Sequence, residues 1–206
     1  GGEGIIITTQ PEVQYYRAVL NQQLPIESQL MSKLADNLNA EVSAGTVKDL
    51  KEGVEWLGYT YLYVRMLRSP AIYKVGPEYA EDISLGWKRA DLVHSALTIL
   101  SQNNLVTYDS TSGVVHPTEL GKIASHFYIG YESMSFYNKQ LKPFSSIIDV
   151  FRIFSSSSEF KLIPVRQEEK SEIAKLMERA PVPIKEDVND PKAKANVLLQ
   201  AFISRL

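Results

Sequence analysis

The chain has 206 residues, of which 44% are hydrophobic and 22% are charged, and this composition is typical of a globular protein with a sizeable core. Cysteine is absent from the sequence, which excludes a disulfide framework and a thiolate metal site. The formal charge of -2 argues against a free-standing nucleic-acid binder, because affinity for phosphates depends on clustered Lys and Arg.

The first predicted elements are a short strand and a helix. Residues 5–8 form a β-branched run, and Thr9 and Glu12 behind it have the spacing of a capping box, with Pro11 in the first turn. A strand that is apolar on both faces is typical of a parallel sheet. A single strand cannot form a sheet, so we expect its partners to lie outside this chain, and the glycine-rich start to be a cut within a longer polypeptide.

Two helices are predicted next, in close succession. The first has an apolar stripe with helical spacing and ends at Gly45. The stripe consists of Leu30, Leu34, Leu38 and Val42. For the second helix, Thr46 is the predicted N-cap, because Asp49 follows three residues later.

A third helix, rich in aromatic residues, is predicted over residues 59–67 and stops before Pro70. The apolar run that contains it also carries Arg65 and is too short to span a bilayer, so no membrane partner is expected. The aromatic side chains of this region could form a platform for stacking bases, but burial in the core is the preferred interpretation. These side chains are Trp56, Tyr59, Tyr61 and Tyr63.

The pattern between residues 71 and 130 predicts a loop, a long helix, a hairpin and a closing helix. Residues 71–85 contain Gly76, Pro77 and several acids, which indicates an irregular connection. The runs 105–108 and 114–116 flank a turn-forming segment, and Thr118 is a suitable cap for the helix behind them. The long helix has the core stripe Leu92, Val93, Ala96, Leu97 and Leu100, and the closing helix has the buried face Leu120, Ile123, Ala124 and Phe127. This order of elements predicts a winged-helix domain.

Further helices are predicted over residues 132–141, 145–155, 165–179 and 191–206. Asp190 before Pro191 marks the start of the last helix. Its predicted inward face consists of Val197, Leu198, Ala201 and Phe202. The fold class is therefore mainly α, or α+β: a winged helix with a small hairpin wing, preceded by a strand and helix and followed by a helical segment.

The residues give no catalytic or metal-binding set. His94, His116 and His126 are scattered, without the spacing of metal ligands, and a structural role is the preferred interpretation for each. Lys88 and Arg89 at the start of the long helix and Lys122 after the wing are the best candidates for nucleic-acid contacts, because winged helices use these elements to bind nucleic acid. The three candidates, Lys88, Arg89 and Lys122, could equally be solvated surface charges.

Several segments along the chain carry a recognisable family pattern. The first are NQQLPIESQ at residues 21–29, LNAE at 38–41 and WLGYTYLYVRMLRSP at 56–70. The pattern continues through TELG at 118–121, IASHFY at 123–128, SEFK at 158–161, VR at 165–166 and NVLLQAFIS at 196–204. These segments extend over essentially the whole chain, and they resemble the Ski-two-like RNA helicases and, among them, the spliceosomal helicases of the U-five snRNP.

The resemblance implies an ATP-driven nuclear helicase that unwinds paired U-four/U-six snRNA during spliceosome activation. In that family, residues 1–25 would be the end of the second RecA domain, 26–130 the winged helix, and 131–206 the first part of the Sec-sixty-three-homology domain. ATP and Mg would bind elsewhere in the parent protein, so no catalytic residue transfers to this chain. Expected partners are the RecA and remaining helical domains, the snRNA and spliceosomal proteins. An independent winged-helix domain that binds nucleic acid or acts as an adaptor is the alternative.

Overall fold

The computed structural model describes residues 2–205 and contains, within that range, ten α-helices and one two-stranded antiparallel sheet. The first helices are α1 Val13–Leu20, α2 Leu30–Ala44, α3 Leu50–Gly58, α4 Tyr61–Arg68 and α5 Gly86–Gln102. The strands β1 Val106–Tyr108 and β2 Val115–Pro117 precede α6 Glu119–His126, α7 Tyr131–Gln140, α8 Ile147–Ser155, α9 Lys170–Arg179 and α10 Pro191–Ser204. None of the helices in residues 2–205 has the length and apolar character that crossing a bilayer requires. The end of the helix predicted over residues 191–206 lies outside the described residues.

The winged helix forms around one apolar core, as predicted. Helix α5 packs on both α2 and α3, and α6 packs on α2. The fully buried side chains of this core, two of them from α4, include Leu38, Leu57, Leu62, Met66, Leu97 and Leu100. Helix α2 ends where Gly45 adopts a left-handed conformation with φ 80°, which a residue without a Cβ accepts at little cost. The long helix α5 buries Val93, Ala96, Leu97 and Leu100 of the predicted stripe, whereas Leu92 is only partly buried, and the helix ends beside Asn103.

The predicted hairpin is confirmed as the wing of this domain. In the antiparallel pair β1 and β2, Thr107 lies opposite His116 and Tyr108 lies opposite Val115. The turn between the strands is closed by the Asp109 carboxylate, which accepts hydrogen bonds from the Thr111 amide at 2.9 Å and the Ser112 hydroxyl at 2.6 Å. A third extended segment joins the wing, because the Val115 amide donates to the carbonyl of residue 48 at 2.9 Å.

That third segment corrects the predicted start of α3. Thr46 is not the N-cap of this helix; Asp49 is, and its carboxylate accepts a hydrogen bond from the Glu52 amide at 2.8 Å. Residues 47–49 are extended because they lie along β2, with Asp49 paired to Val114. The helix can begin only where this pairing stops, so the capping spacing at Thr46 is overruled by a contact with a distant strand.

The strand predicted at residues 5–8 is absent from the described structure. Ile5, Ile6 and Ile7 are exposed, Thr8 is partly buried, and the segment belongs to neither strand of the sheet. A β-strand requires a hydrogen-bonded neighbour, and within residues 2–205 this segment has none. The helix predicted after it does form: the Glu12 carboxylate accepts a hydrogen bond from the Thr9 hydroxyl at 2.9 Å, and α1 follows directly.

The predicted buried faces of α6 and α10 are wrong in part. On α6, Ile123 and Phe127 are exposed by 42% and 65%, because this helix approaches α2 through its small residues instead. On α10, Leu198 and Phe202 are exposed by 45% and 84%. The buried face of α10 is lined by Ala193, Asn196, Val197 and Gln200.

Polar side chains explain how α10 is oriented. The Gln200 side chain accepts a hydrogen bond from the Val182 amide at 2.8 Å and donates to the Val182 carbonyl at 3.0 Å. It also donates to Asn196 one turn earlier, at 2.9 Å. The Gln200 amide therefore pairs with the backbone of Val182 through one accepted and one donated hydrogen bond, as the backbone of a neighbouring strand would. Because Val182 lies in the loop between α9 and α10, this pairing turns a partly polar face of α10 inward.

Replacing Asp36 of α2 by asparagine is expected to raise the free energy of unfolding at pH 7. The Asp36 carboxylate is partly buried and accepts a hydrogen bond from the Tyr131 amide at 2.7 Å, and desolvation raises its pKa. Because its pKa is raised, the Asp36 carboxyl binds a proton more tightly in the folded state than in the unfolded state. The free energy of unfolding therefore falls as pH rises from the pKa of the unfolded state through the pKa of the folded state. Asparagine keeps the acceptor and removes the charge. Urea denaturation of both proteins at pH 7 and pH 4 would test this.

The stabilising effect should shrink at the lower pH, where the Asp36 carboxyl of the parent protein is more protonated. The exposed Glu81 is a suitable control, since its change to glutamine should alter the unfolding free energy by less than about 0.5 kcal/mol. A lower stability of Asp36→Asn than of the parent at pH 7 would contradict the prediction.

Candidate nucleic-acid interface and outer face of the winged helix

Lys88, a predicted nucleic-acid ligand at the start of α5, lies inside the winged helix. The residue is only 9% exposed. Its ammonium group donates a hydrogen bond to the Lys74 carbonyl at 2.9 Å and sits 4.9 Å from the centre of the Tyr79 ring. A cation with a carbonyl acceptor and an aromatic face is already satisfied within the protein.

Arg89 is also used within the domain. Its guanidinium donates to the Val54 carbonyl at 3.0 Å and to the Leu85 carbonyl at 3.3 Å, and it lies 4.6 Å from the centre of the Tyr63 ring. It thereby ties α5 to the middle of α3 and to α4. The close approach of this guanidinium also explains the glycine at position 58, where a Cβ would lie 2.6 Å from it.

Lys122, the third predicted ligand, lies on α6 and forms an exposed ion pair with Glu119 at 2.8 Å. Such a pair one helical turn apart contributes little to stability and leaves the ammonium reachable from solvent. The three predicted residues therefore do not form one basic surface, because two of them point into the domain. Their contact with RNA stays a prediction.

The outer face of α5 carries no exposed Lys or Arg along residues 86–102. Its exposed side chains include Trp87, Asp91, His94, Ser95 and Ile99. The tip of the wing adds a carboxylate, Asp109, whose pKa is lowered by hydrogen bonds from Ser112 and Thr111. Since winged helices bind nucleic acid through this helix and this wing, and since phosphates require cations, the charge of this face does not suit a nucleic-acid backbone.

A cap anchors the start of α5. The Asp82 carboxylate accepts hydrogen bonds from the amides of Gly86, Trp87 and Lys88 at 2.8, 2.7 and 3.2 Å. These amides have no partner within the helix, and a carboxylate at this end also interacts favourably with the helix dipole. The orientation of the first turn, and of Trp87 on it, is therefore fixed.

The aromatic region is less buried than predicted. Tyr59 and Tyr61 are exposed by 92% and 52%, whereas Trp56 and Tyr63 pack against the core. The prediction of burial fails for the two exposed tyrosines, which lie where one helix ends and the next begins. Helix α3 ends at residue 58, and the Thr60 side chain caps the start of α4. Tyr61 donates a hydrogen bond to the carbonyl of residue 26 at 2.7 Å.

An ion pair that the sequence did not reveal joins the segment before α2 to α4. Arg65 is only 5% exposed, and its guanidinium donates to both carboxylate oxygens of Glu27, at 3.1 and 2.7 Å. The Tyr73 hydroxyl donates to the same carboxylate at 2.5 Å and accepts from the Ser28 amide at 2.8 Å. Hydrogen bonds from Arg65 and then Tyr73 lower the pKa of Glu27. Arg65 therefore has a structural role, and its partner is a residue 38 positions away in the sequence.

The histidines have structural surroundings. The His94 ring nitrogen lies 2.8 Å from the Tyr108 hydroxyl and so links α5 to the wing, and the His126 ring contacts the edge of Phe127. Across residues 2–205, no three side chains of His, Asp or Glu are placed together to hold a metal ion.

A cleft of about 610 Å³ lies between α7, α8 and the start of α10. Its charged groups are paired or mixed in sign: Arg152 and Glu186 form an ion pair at 2.7 Å, and the rim carries Lys142, Asp149 and Lys192. This arrangement holds α8 against the loop before α10, and its balance of charges indicates no particular ligand.

Comparison with known proteins gives matches along the whole chain. The sequence pattern of the Winged Helix-turn-helix domain family matches residues 27–104, and that of the Sec-sixty-three Brl domain family matches residues 117–206. The chain is 59% identical over 204 residues to the pre-mRNA-splicing factor brr2 of Schizosaccharomyces pombe, a match that covers 99% of this chain and 9% of that protein.

Two further relatives are 56% identical over 206 residues, which is 100% of this chain and 10% of each relative. They are the DExH-box ATP-dependent RNA helicase DExH12 of Arabidopsis thaliana and the U5 small nuclear ribonucleoprotein 200 kDa helicase of Homo sapiens. The chain thus spans about a tenth of the length of the curated relatives that it matches.

Proposed function

The chain belongs to the family of the U5 small nuclear ribonucleoprotein 200 kDa helicases, and from this premise we propose that it is a non-catalytic structural segment of an ATP-dependent RNA helicase of the spliceosome. The parent helicase would unwind U4/U6 snRNA during spliceosome activation and act in the nucleus. ATP and Mg would bind to RecA domains outside this chain. Residues 1–25 would end the second of these domains, 26–130 would form the winged helix, and 131–206 would open the Sec-sixty-three-homology domain.

The inward placement of Lys88 and Arg89 is the main support for a structural role. Both cations donate hydrogen bonds to backbone carbonyls of other segments of the winged helix, and these bonds favour a role in stabilising the domain. The outer face of α5 is neutral to acidic, and this charge disfavours the alternative of an independent nucleic-acid-binding domain. A winged helix with this charge is suited to holding neighbouring protein domains in place.

Transfer of this chain into the Schizosaccharomyces pombe factor brr2, in place of the matching segment of that protein, tests the proposal. We expect the chimera to keep RNA-stimulated ATP hydrolysis and RNA unwinding within about threefold of the parent, because identity is 59% over 204 residues and core substitutions that conserve volume are tolerated. The isolated chain should hydrolyse no ATP, and its binding to RNA should be weak and lost at high salt.

A control chimera with Leu57→Asp, which places a charge in the core, should fail to fold and lose both activities. A chimera that is soluble and melts cooperatively but does not unwind RNA would contradict the proposal. ATP turnover by the isolated chain would contradict it independently.

A further inference from the structure

An acidic and apolar surface lies at the start of α5, where the described structure gives it no covering element. We call it the α5 surface and define it by Glu78, Glu81, Ile83, Trp87 and Asp91. Two large apolar side chains are presented to solvent, since Ile83 is 90% exposed and Trp87 is 62% exposed. Large exposed apolar groups beside polar ones are typical of protein interaction sites.

The charge around these apolar groups is negative. Asp91 accepts a hydrogen bond from the Tyr79 hydroxyl at 2.6 Å, and this bond, then burial, then the charges of Asp91, Glu78 and Asp82 raise the pKa of Tyr79 to about 12. The cation in contact with the Tyr79 ring is Lys88, which is buried and already bonded to a carbonyl. The carboxylates of the α5 surface therefore face solvent, whereas the ammonium group of Lys88 does not.

The surface is also rigid. The Asp82 carboxylate holds the first three amides of α5, and the Tyr79–Asp91 hydrogen bond ties the preceding turn to the helix. The Lys88 ammonium fixes the same helix to the carbonyl of residue 74. A surface that is ordered before binding loses less conformational entropy when a partner docks.

The residue types select one class of partner. Trp is enriched among the residues that dominate binding energy at protein interfaces, and it acts by filling an apolar contact on the partner. Carboxylates around it attract Lys and Arg and repel phosphates. We infer that the α5 surface is a docking site for a basic polypeptide segment of a partner protein, with a large apolar side chain of that segment packed on Trp87 and Ile83.

The inference rests on the charge and exposure of this surface and holds whether or not the parent protein is a helicase. It differs from the proposed function in naming a partner that binds in trans. An inactive brr2 chimera would contradict the proposed function but not the docking site. Absence of peptide binding in the test below would contradict the docking site but not the proposed function.

Calorimetry with the 206-residue chain and synthetic peptides tests the docking site. The probes are a short peptide in which lysines flank a pair of leucines, a peptide with glutamates in place of the lysines, a peptide with serines in place of the leucines, and a short RNA duplex. We expect binding of the first peptide only, and a loss of affinity as salt is added.

Two exposed residues provide the variants. Trp87→Ala and Glu81→Lys should each weaken binding of the basic apolar peptide about tenfold or more, without changing the melting temperature. Matched variants elsewhere, Tyr59→Ala and Glu178→Lys, should leave the affinity unchanged, because both residues are exposed outside the α5 surface. Equal binding of the acidic peptide, an effect of the matched variants as large as that of the α5 variants, or RNA binding abolished by Trp87→Ala would overturn the inference.

Discussion

Replacement of Gly121 by alanine is expected to destabilise the winged helix by about 3 kcal/mol or more, because a close backbone contact leaves no room for a methyl group. Gly121 lies on α6 where that helix meets α2 and the start of the wing. An added Cβ would overlap the carbonyl oxygen of Leu105 and lie 2.9 Å from the Asn39 side-chain oxygen. The Asn39 amide also donates to the Gly121 carbonyl at 2.9 Å, so the helix cannot move away without breaking a buried hydrogen bond. Chemical denaturation followed by circular dichroism would measure the effect.

Two other helical glycines supply graded controls. At Gly53 an added Cβ would lie 2.7 Å from a methyl group of Val93, which is a side chain that can rotate, so a smaller destabilisation is expected. At Gly86 the nearest atoms are 3.5 and 3.6 Å away, and alanine should be neutral or stabilise by up to about 1 kcal/mol through its helix propensity. Equal stability of the Gly121 and Gly86 variants would show that α6 is not held where the structure places it.

Local patterns predicted the elements of the winged helix correctly. The stripe on α2 repeats with the period of a helix, and Gly45 follows it with the backbone freedom that a helix end needs. The polar residues between β1 and β2 form a turn through hydrogen bonds between residues that are only two or three positions apart in the sequence. These features were predictable because each is decided by residues that are neighbours in the sequence.

Contacts between distant segments account for most of the errors. The start of α3 depends on the pairing of Asp49 with Val114, and the ion pair of Glu27 with Arg65 joins residues 38 positions apart. Nothing near Thr46 or Arg65 in the sequence identifies these partners. The inward face of α10 was wrong for the same reason, since Gln200 is buried only because the backbone of Val182 lies beside it.

The candidate site shows why charge in a sequence is a weak guide to binding. Lys88 and Arg89 stand at the start of a recognition helix, where cations would ordinarily face nucleic acid. Each has a carbonyl acceptor and a tyrosine ring within the domain, and the acceptors come from the loop at residue 74 and the middle of α3. Whether a cation is free depends on these tertiary partners, which no local pattern specifies.

Truncation of Leu97 to alanine is expected to lower the free energy of unfolding by about 2–5 kcal/mol. Leu97 is fully buried on α5, in the core that this helix forms with α2 and α3. Replacement of its isobutyl group by a methyl group loses the transfer free energy of the removed apolar atoms and leaves a cavity that the close-packed neighbours fill only in part. Urea denaturation monitored by far-ultraviolet circular dichroism gives the change directly.

The same substitution at Leu198 tests whether this residue faces inward, as the sequence pattern predicts, or outward, as the structure shows. The helical pattern predicts an inward position for both leucines, whereas the structure places Leu198 at 45% exposure on α10. An exposed leucine contributes little when truncated, so Leu198→Ala should cost less than about 1 kcal/mol. If both truncations lower the free energy of unfolding by the same amount, Leu198 must face inward on α10. The hydrogen bonds between Gln200 and Val182, which place the polar face of α10 against the loop, would then be wrong. A large difference between the two leucines would support the orientation set by that pairing.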